Sequence, residues 1–293
     1  MTADRRSVLD DAIAAFKGAF PHCSGAIPYF PATGRSLLPP NWERPALIVP
    51  LDGEYVVEDT TKDGPLGWLS TEFERNRDGF LQTLDVVKSS MDISSFPNSD
   101  IDGKTPFFPN LFFGPMDALA LAGMIRVLQP SQYVEIGSGV STRVARHAVA
   151  ADGLSTRIRC IDPQPRKSID NVADEVIFDS LLNVDLNIFT SLSDNDILFF
   201  DGSHLAFTGT DCPKFFLEVL PLVPTGVYVH VHDIFLPDEY PERMKTRFYN
   251  EQQPLAGFLY NNSDFQVVLP IQYLHRLGYC WEGVSFWMRR VEK

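Results

Sequence analysis

The sequence predicts an α/β fold: a Rossmann-like, mostly parallel sheet covered on both faces, preceded by a helical and irregular extension. Three observations predict it. Short apolar runs recur along the second half of the chain, at Tyr133–Val134, Arg157–Ile161, Asp196–Phe200 and Gly226–Val231. Their near-continuous apolar character marks strands buried on both faces. Helical segments separate them, the order that feeds parallel pairing. Each run ends on glycine, histidine or a carboxylate, and such sheets bind ligands outside the carboxyl ends of their strands.

In chain order, Ser7-Val8-Leu9-Asp10 resembles a capping box opening a short amphipathic helix with Leu9, Ile13 and Phe16 on one face. From Pro21 to Pro50 seven prolines with interleaved aromatics exclude a long helix. This stretch reads as an irregular cover on the core, or as a lid or oligomer arm. A second helix is expected over 72–89 with Phe80, Leu84 and Val87 on its buried side, then a Ser/Pro/Asp-rich loop over 93–110. Met116 to Leu128 is a strongly apolar helix that stops at Gln129-Pro130 and leads into the first strand. The remaining strands are expected at 157–161, 175–178, 196–200, 226–231, 265–269 and 284–288. Phe215, Phe216, Val219 and Leu220 have the spacing of a core helix face, and Pro254 is expected to shorten or kink the helix before the sixth strand.

The turn after the first strand is Glu135-Ile136-Gly137-Ser138-Gly139, followed by a helical pattern from Ser141 to Ala151. Glycines spaced G-x-G let a ligand approach the backbone, and the helix N-terminus presents free N–H groups. The third glycine of a dinucleotide fingerprint would fall at position 142, where the chain has Thr142. Glu135 repels a pyrophosphate and welcomes a cationic amino-acid nucleoside. S-adenosylmethionine, with its sulfonium and ammonium groups, fits that description. Asp162 ends the second strand, where a carboxylate can accept hydrogen bonds from ribose hydroxyls, and Asp179 follows the third. Asp201-Gly202-Ser203-His204 follows the fourth and His232-Asp233 the fifth.

These motifs resemble the class I S-adenosylmethionine-dependent methyltransferases from about Phe112 onward, and most closely a bacterial branch acting on small molecules and glycans. The resemblance lies in the G-S-G-x-S-T turn of Gly137 to Thr142, the D-G-S-H turn of Asp201 to His204, and the H-x-H-D-I-F run opening at His230. Asn250-Glu251-Gln252 and Ser285-Phe286-Trp287 also look familiar. The resemblance implies a seven-stranded sheet with a C-terminal antiparallel hairpin, a methyltransferase domain over 111–293 and an extension over 1–110. It implies donor binding by Glu135, Gly137, Ser138, Gly139, Ser141, Asp162, Asp179 and Asp201.

Methyl transfer requires alignment of donor and acceptor, and removal of a proton where the acceptor is a hydroxyl. His204, Asp201 and His232 are the expected catalytic residues. His204 is the candidate base and Asp201 the group that fixes its tautomer; the alternative is that His204 caps a helix or satisfies a carbonyl. Asp201, His204 and Asp233 are also candidate ligands for a divalent Mg, Mn or Fe ion, which would lower the pKa of a bound hydroxyl. His230 shares the face of His232 one pleat deeper and is expected to be a hydrogen-bonded structural residue. Ile234-Phe235-Leu236-Pro237 reads as an apolar loop closing over the site, and Tyr279 and Trp281 as packing residues or acceptor contacts.

The reading is therefore methyl transfer to a small-molecule acceptor, at oxygen of a sugar or secondary metabolite. Three alternatives stand beside it: a metal-dependent hydroxylase-like enzyme on the same fold, a non-catalytic nucleoside-binding subunit, and a dehydrogenase. A net charge of −13 without a Lys/Arg cluster argues against nucleic acid and against a polybasic membrane anchor. No apolar run reaches membrane-spanning length, and the N-terminal Arg5-Arg6 precedes Asp10 and Asp11 rather than an export signal's apolar core. Four dispersed cysteines without C-x-x-C suit a reducing cytoplasm. Homo-oligomer formation stays open.

Overall fold

The computed structural model describes residues 25–29, 47–51, 66–90, 92–110, 112–165, 169, 171–245 and 247–292. Residues 1–62 and 63–293 form two compact units. In the first, β1 (Gly25–Tyr29) and β2 (Leu47–Leu51) pair antiparallel, Gly25 opposite Leu51. The proline-rich stretch is thus not wholly irregular. Pro28 and Pro50 lie within these strands, which a two-stranded sheet tolerates because each strand has an outward edge that needs no N–H donor. The helix expected over 7–16 lies outside the described residues.

The second unit opens with α1 (Gly67–Lys88), which buries Leu69, Phe73, Phe80, Leu84 and Val87. Those positions recur every three, four or seven residues, so they form one stripe along the helix. The stripe meets α2 (Pro115–Leu128) at Gly123, where a Cβ would come within 2.6 Å of the Val87 Cα. The expected boundary near residue 110 falls inside this unit, because the α1 side chains belong to the same hydrophobic core as the sheet. Pro115 starts α2, and Gln129, at φ 47°, ends it in a left-handed turn ahead of the first strand of the sheet.

The sheet contains β3 (Gln132–Ile136), β4 (Arg157–Ile161), β5 (Glu175–Ile177), β6 (Ile197–Phe200), β7 (Tyr228–Val231), β8 (Phe265–Pro270) and β9 (Phe286–Arg290). Their order is β5-β4-β3-β6-β7-β9-β8. Pairing is parallel from β5 to β7, and β9 runs antiparallel to both β7 and β8. This is the expected Rossmann-like sheet, with the reversed last strand inserted between its neighbours. In register, Glu135, Phe199, His230 and Trp287 form one row across a face of it. His230 stacks on Trp287 at 4.1 Å and 17°.

On the opposite face Phe200 stacks on Phe215 at 4.0 Å and 9°. In chain order α3 (Val140–Ala151) follows β3 and the single turn α4 (Asn187–Thr190) precedes β6. Phe215, Phe216 and Val219 are buried as expected, but they follow the single turn α5 (Asp211–Lys214) as a π-helical turn, Phe215–Val219. A π turn widens the helix by one residue and is often found near functional sites. Pro254 stands in the first turn of α7 (Gln252–Leu259), where its missing N–H costs nothing. Between Lys214 and α7 lies the short α6 (Glu242–Lys245), and α8 (Ile271–Arg276) joins β8 to the approach to β9. The carboxyl ends of β3, β6 and β7 and the start of β9 converge at one rim, which is where the candidate residues gather.

Candidate functional site

The rim is built on the turn between β3 and α3 (Val140–Ala151). Gly137 holds φ +80°, and a Cβ there would overlap the carbonyl oxygen of Asp201. Glycine is therefore required twice, by conformation and by space. The Asp201 N–H donates to Ile136 O at 2.9 Å, so the ends of β3 and β6 lie against each other. Ser138 donates from N and from Oγ to Oδ2 of Asp162, at 2.8 and 2.9 Å, while Oδ1 of Asp162 accepts the Gln164 N–H at 2.7 Å. The Asp162 carboxylate thus joins the β4 tip to the glycine turn. Thr142, in the place of a third glycine, uses its Oγ1 to accept the N–H of Gly139 at 3.0 Å and closes the first turn of α3.

Glu135 departs from expectation. Its side chain is fully buried, accepts the Ser141 hydroxyl on Oε1, and faces the Cys160 thiol 3.6 Å from Oε2. Burial pushes its carboxyl up to about 8, against the lowering effect of Ser141, Thr142 and Cys160. It lies buried under the turn rather than exposed on the rim. Ser141 is engaged with it. Asp179 lies exposed at the tip of β5 and accepts Ser180 N–H at 2.7 Å and Asn183 Nδ2 at 2.8 Å.

Asp201, His204 and Asp233 come together as expected, each offering a donor atom within 4.8 Å of the others. Nε2 of His204 lies 3.6 Å from Oδ1 of Asp201 and 3.7 Å from Oδ2 of Asp233. His204 and Asp233 both occupy left-handed backbone, at φ 64° and 56°. Non-glycine residues adopt that conformation at a cost, here at the two positions that aim the cluster inward. The tautomer partner is not Asp201: Nδ1 of His204 is 2.8 Å from Oε1 of Glu251, and the ring stacks on Tyr249 at 4.1 Å and 14°. Burial works against a charged ring, but Glu251, Asp233 and Asp201 outweigh it and hold His204 up to about 9.

His232 lies on the other side of the same carboxylates. Its Nδ1 is 3.9 Å from Oδ2 of Asp201 and 3.9 Å from Oδ1 of Asp233, and its Nε2 is 3.6 Å from Oδ2 of buried Asp117. Here too burial opposes the charge, and Asp117, Asp233 and Asp201 raise the ring to about 10. His230 is structural, but stacking and enclosure hold it: among the described residues neither ring nitrogen has a hydrogen-bond partner, and burial drives its pKa well below the usual histidine value.

Sequence reasoning missed Asp117 and the part played by Glu251. Asp117 hides in an apolar helix, where a lone carboxylate among alanines and leucines was the available signal. Ile234, Phe235 and Leu236 are buried as the loop beside the cluster, and Phe235 packs with Tyr240, Met244, Tyr249 and Val284. Tyr279 and Trp281 are partly exposed, 41% and 65%, on the segment leading into β9.

The donor set fits a divalent cation. It combines two carboxylates with one imidazole, and the second nitrogen of that imidazole is tied to a carboxylate, the usual arrangement behind a metal-ligating histidine.

Residues 134–234, from β3 through β7, match a family model described as a methyltransferase domain. No curated protein matches the chain. Among solved structures it is similar to the SAH-bound methyltransferase PaMTH1 of Podospora anserina, at 13% identity over 82% of this chain and 100% of that one, with a TM-score of 0.41. It is also similar to cmcI-D160 with Mg and SAM, at 18% identity over 58% of this chain and 69% of that one, TM-score 0.37. A third is the plantazolicin methyltransferase BpumL in complex with SAH, at 10% identity over 77% of this chain and 100% of that one, TM-score 0.36.

Proposed function

We propose that this chain transfers a methyl group from S-adenosylmethionine to a hydroxyl of a small molecule, a sugar or a secondary metabolite. The observation that carries the reading is the continuity of the rim. The Gly137–Gly139 turn is bonded to Asp162 on one side and lies against Asp201 on the other, beside the Asp201–His204–Asp233 cluster. A nucleoside held at the turn and the β4 tip would point its reactive end at the cluster. The match of residues 134–234 to a methyltransferase domain supports the reaction class.

In this reading Gly137, Ser138 and Gly139 give backbone access to the donor. Asp162, whose Oδ1 accepts one N–H and retains further acceptor capacity, receives the ribose hydroxyls. Asp201 and Asp233 orient the acceptor hydroxyl. His204 takes its proton through Nε2, while Glu251 on Nδ1 fixes the ring. In the free chain the ring keeps its proton up to about 9. Without an ion, the positive charge of a bound donor beside Asp201 and Asp233 would lower that affinity and let His204 act as base.

A divalent cation held by Asp201, His204 and Asp233 would take Nε2 of His204 as a ligand in place of that proton; it would then acidify the acceptor hydroxyl itself, and His204 would serve as base only where no ion is bound. Calorimetry with S-adenosylhomocysteine tests the reading directly. Saturable binding that NAD does not displace is expected, and binding of NAD alone would replace methyl transfer with hydride transfer.

A further inference from the structure

Two buried imidazoles address the same pair of carboxylates from opposite sides. Asp201 turns Oδ1 toward His204 and Oδ2 toward His232, and Asp233 turns Oδ2 toward His204 and Oδ1 toward His232. Each imidazole has a third carboxylate behind it, Glu251 for His204 and Asp117 for His232. The halves are not equivalent. His204 joins Asp201 and Asp233 in one cluster of mutually close donor atoms, whereas His232 stands outside it.

Asp117 is held in place by bonds that do not involve the site. It lies in the first turn of α2, yet its Oδ1 accepts the N–H groups of Val284 and Ser285 at 2.8 and 2.9 Å, on the segment entering β9. That leaves Oδ2 facing Nε2 of His232 at 3.6 Å, with Phe113 packed on the imidazole at 5.0 Å. Two glycines make room for the carboxylate. A Cβ on Gly283 would come within 2.9 Å of Oδ1, and one on Gly114 within 3.3 Å of Oδ2. Neither ring nitrogen of His232 has a hydrogen-bond partner among the described residues. Its polar neighbours are three carboxylates, one behind and two in front, and Phe113 packs against the ring.

We propose that Asp117 and His232 are positioning residues which fix Asp201 and Asp233 so that each presents one oxygen on the His204 side, creating the face that receives a divalent cation. The inference rests on the proposed cation site, not on methyl transfer itself. The physical reason is that two carboxylates side by side repel each other. An imidazole with a carboxylate behind it faces one oxygen of each at 3.9 Å, and the other pair faces Nε2 of His204 at 3.6 and 3.7 Å. Partners of this kind, one step removed from the ion, commonly contribute 10–100-fold in metal affinity.

The test is Mn²⁺ binding to the full chain, measured by calorimetry and by electron paramagnetic resonance, with S-adenosylhomocysteine binding measured in parallel. Asp117→Asn keeps an oxygen for the Val284 and Ser285 N–H groups and removes the charge that faces His232. It is expected to weaken Mn²⁺ binding about 10–100-fold while nucleoside affinity stays unchanged. His232→Gln should do the same. The double variant should bind Mn²⁺ no more weakly than either single one, since the two residues act in series. Unchanged Mn²⁺ affinity in Asp117→Asn, additive losses in the double variant, or no Mn²⁺ binding by the unmodified chain would each overturn the proposal. Absence of nucleoside binding alongside the expected Mn²⁺ pattern would overturn methyl transfer and leave this assignment standing.

Discussion

The imidazole of His204 and the carboxylate of Glu251 meet at 2.8 Å although 47 residues separate them. The contact joins the turn after β6 to the start of α7 and places a fully buried carboxylate behind the ring. It decides which nitrogen faces the site: Nδ1 is taken, so Nε2 points at Asp201 and Asp233. Asn250 reinforces the junction, its N–H donating to His204 O at 3.0 Å and its Oδ1 accepting the Ala206 N–H at 2.7 Å.

Removing the charge of Glu251 should therefore release the ring's proton more easily. Glu251→Gln keeps a polar partner for Nδ1 but no longer favours the charged form of His204. By NMR titration of the ring, the midpoint is expected to fall below the value of about 9 held in the unmodified chain. An unchanged midpoint would mean that Asp201 and Asp233 set it instead.

Asp162 should control the donor. Its carboxylate both accepts from Ser138 and is placed to accept from a ribose. Asp162→Ala is expected to weaken S-adenosylhomocysteine binding by about 1.5–3 kcal/mol, the cost of hydrogen bonds to a charged acceptor. Calorimetric affinity equal to that of the unmodified chain would remove the assignment of the β4 tip as the ribose site.

The periodic parts of the fold were legible, since continuous apolar strands and helical spacing are consequences of burial that any single stretch reveals. The order of motifs at the strand ends was legible for the same reason: β6 ends at Asp201 and β7 at His232 because the apolar runs stop there. Side-chain direction was less so. Glu135 reads as a rim carboxylate in a linear sequence, and only pairing in register shows that it shares the row of Phe199 and His230. The Asp117–His232 and Glu251–His204 relationships are long-range and rest on the meeting of separate elements, which no local spacing encodes.

Asp233 should be needed for cation binding and less so for the nucleoside. Asp233→Ala removes one of the two carboxylates in the cluster. Mn²⁺ binding by calorimetry should be lost, with S-adenosylhomocysteine affinity within about twofold of the unmodified chain, because most donor contacts are assigned to β3 and β4. Exhaustive chelation that leaves methyl transfer undiminished would assign Asp233 to orienting the acceptor alone.

Glu135 should make stability depend on pH in a defined direction. Folding raises its pKa from 4.5 to about 8, with burial the dominant cause. Below pH 4.5 the carboxyl is protonated in both folded and unfolded chains, and its burial costs nothing in ionisation. As pH rises toward 8 the unfolded chain loses that proton while the folded chain retains it, so this residue's contribution to stability declines across the interval. Glutamine keeps an oxygen for the Ser141 hydroxyl and cannot ionise. The stability advantage of Glu135→Gln over the unmodified chain should therefore grow by about 3–5 kcal/mol between pH 4 and pH 8, following the linkage of roughly 1.4 kcal/mol per pKa unit. Urea unfolding of both proteins across that range measures the difference directly. A constant difference would show that the folded chain already carries Glu135 ionised, and that its carboxylate is available to a cationic ligand after all.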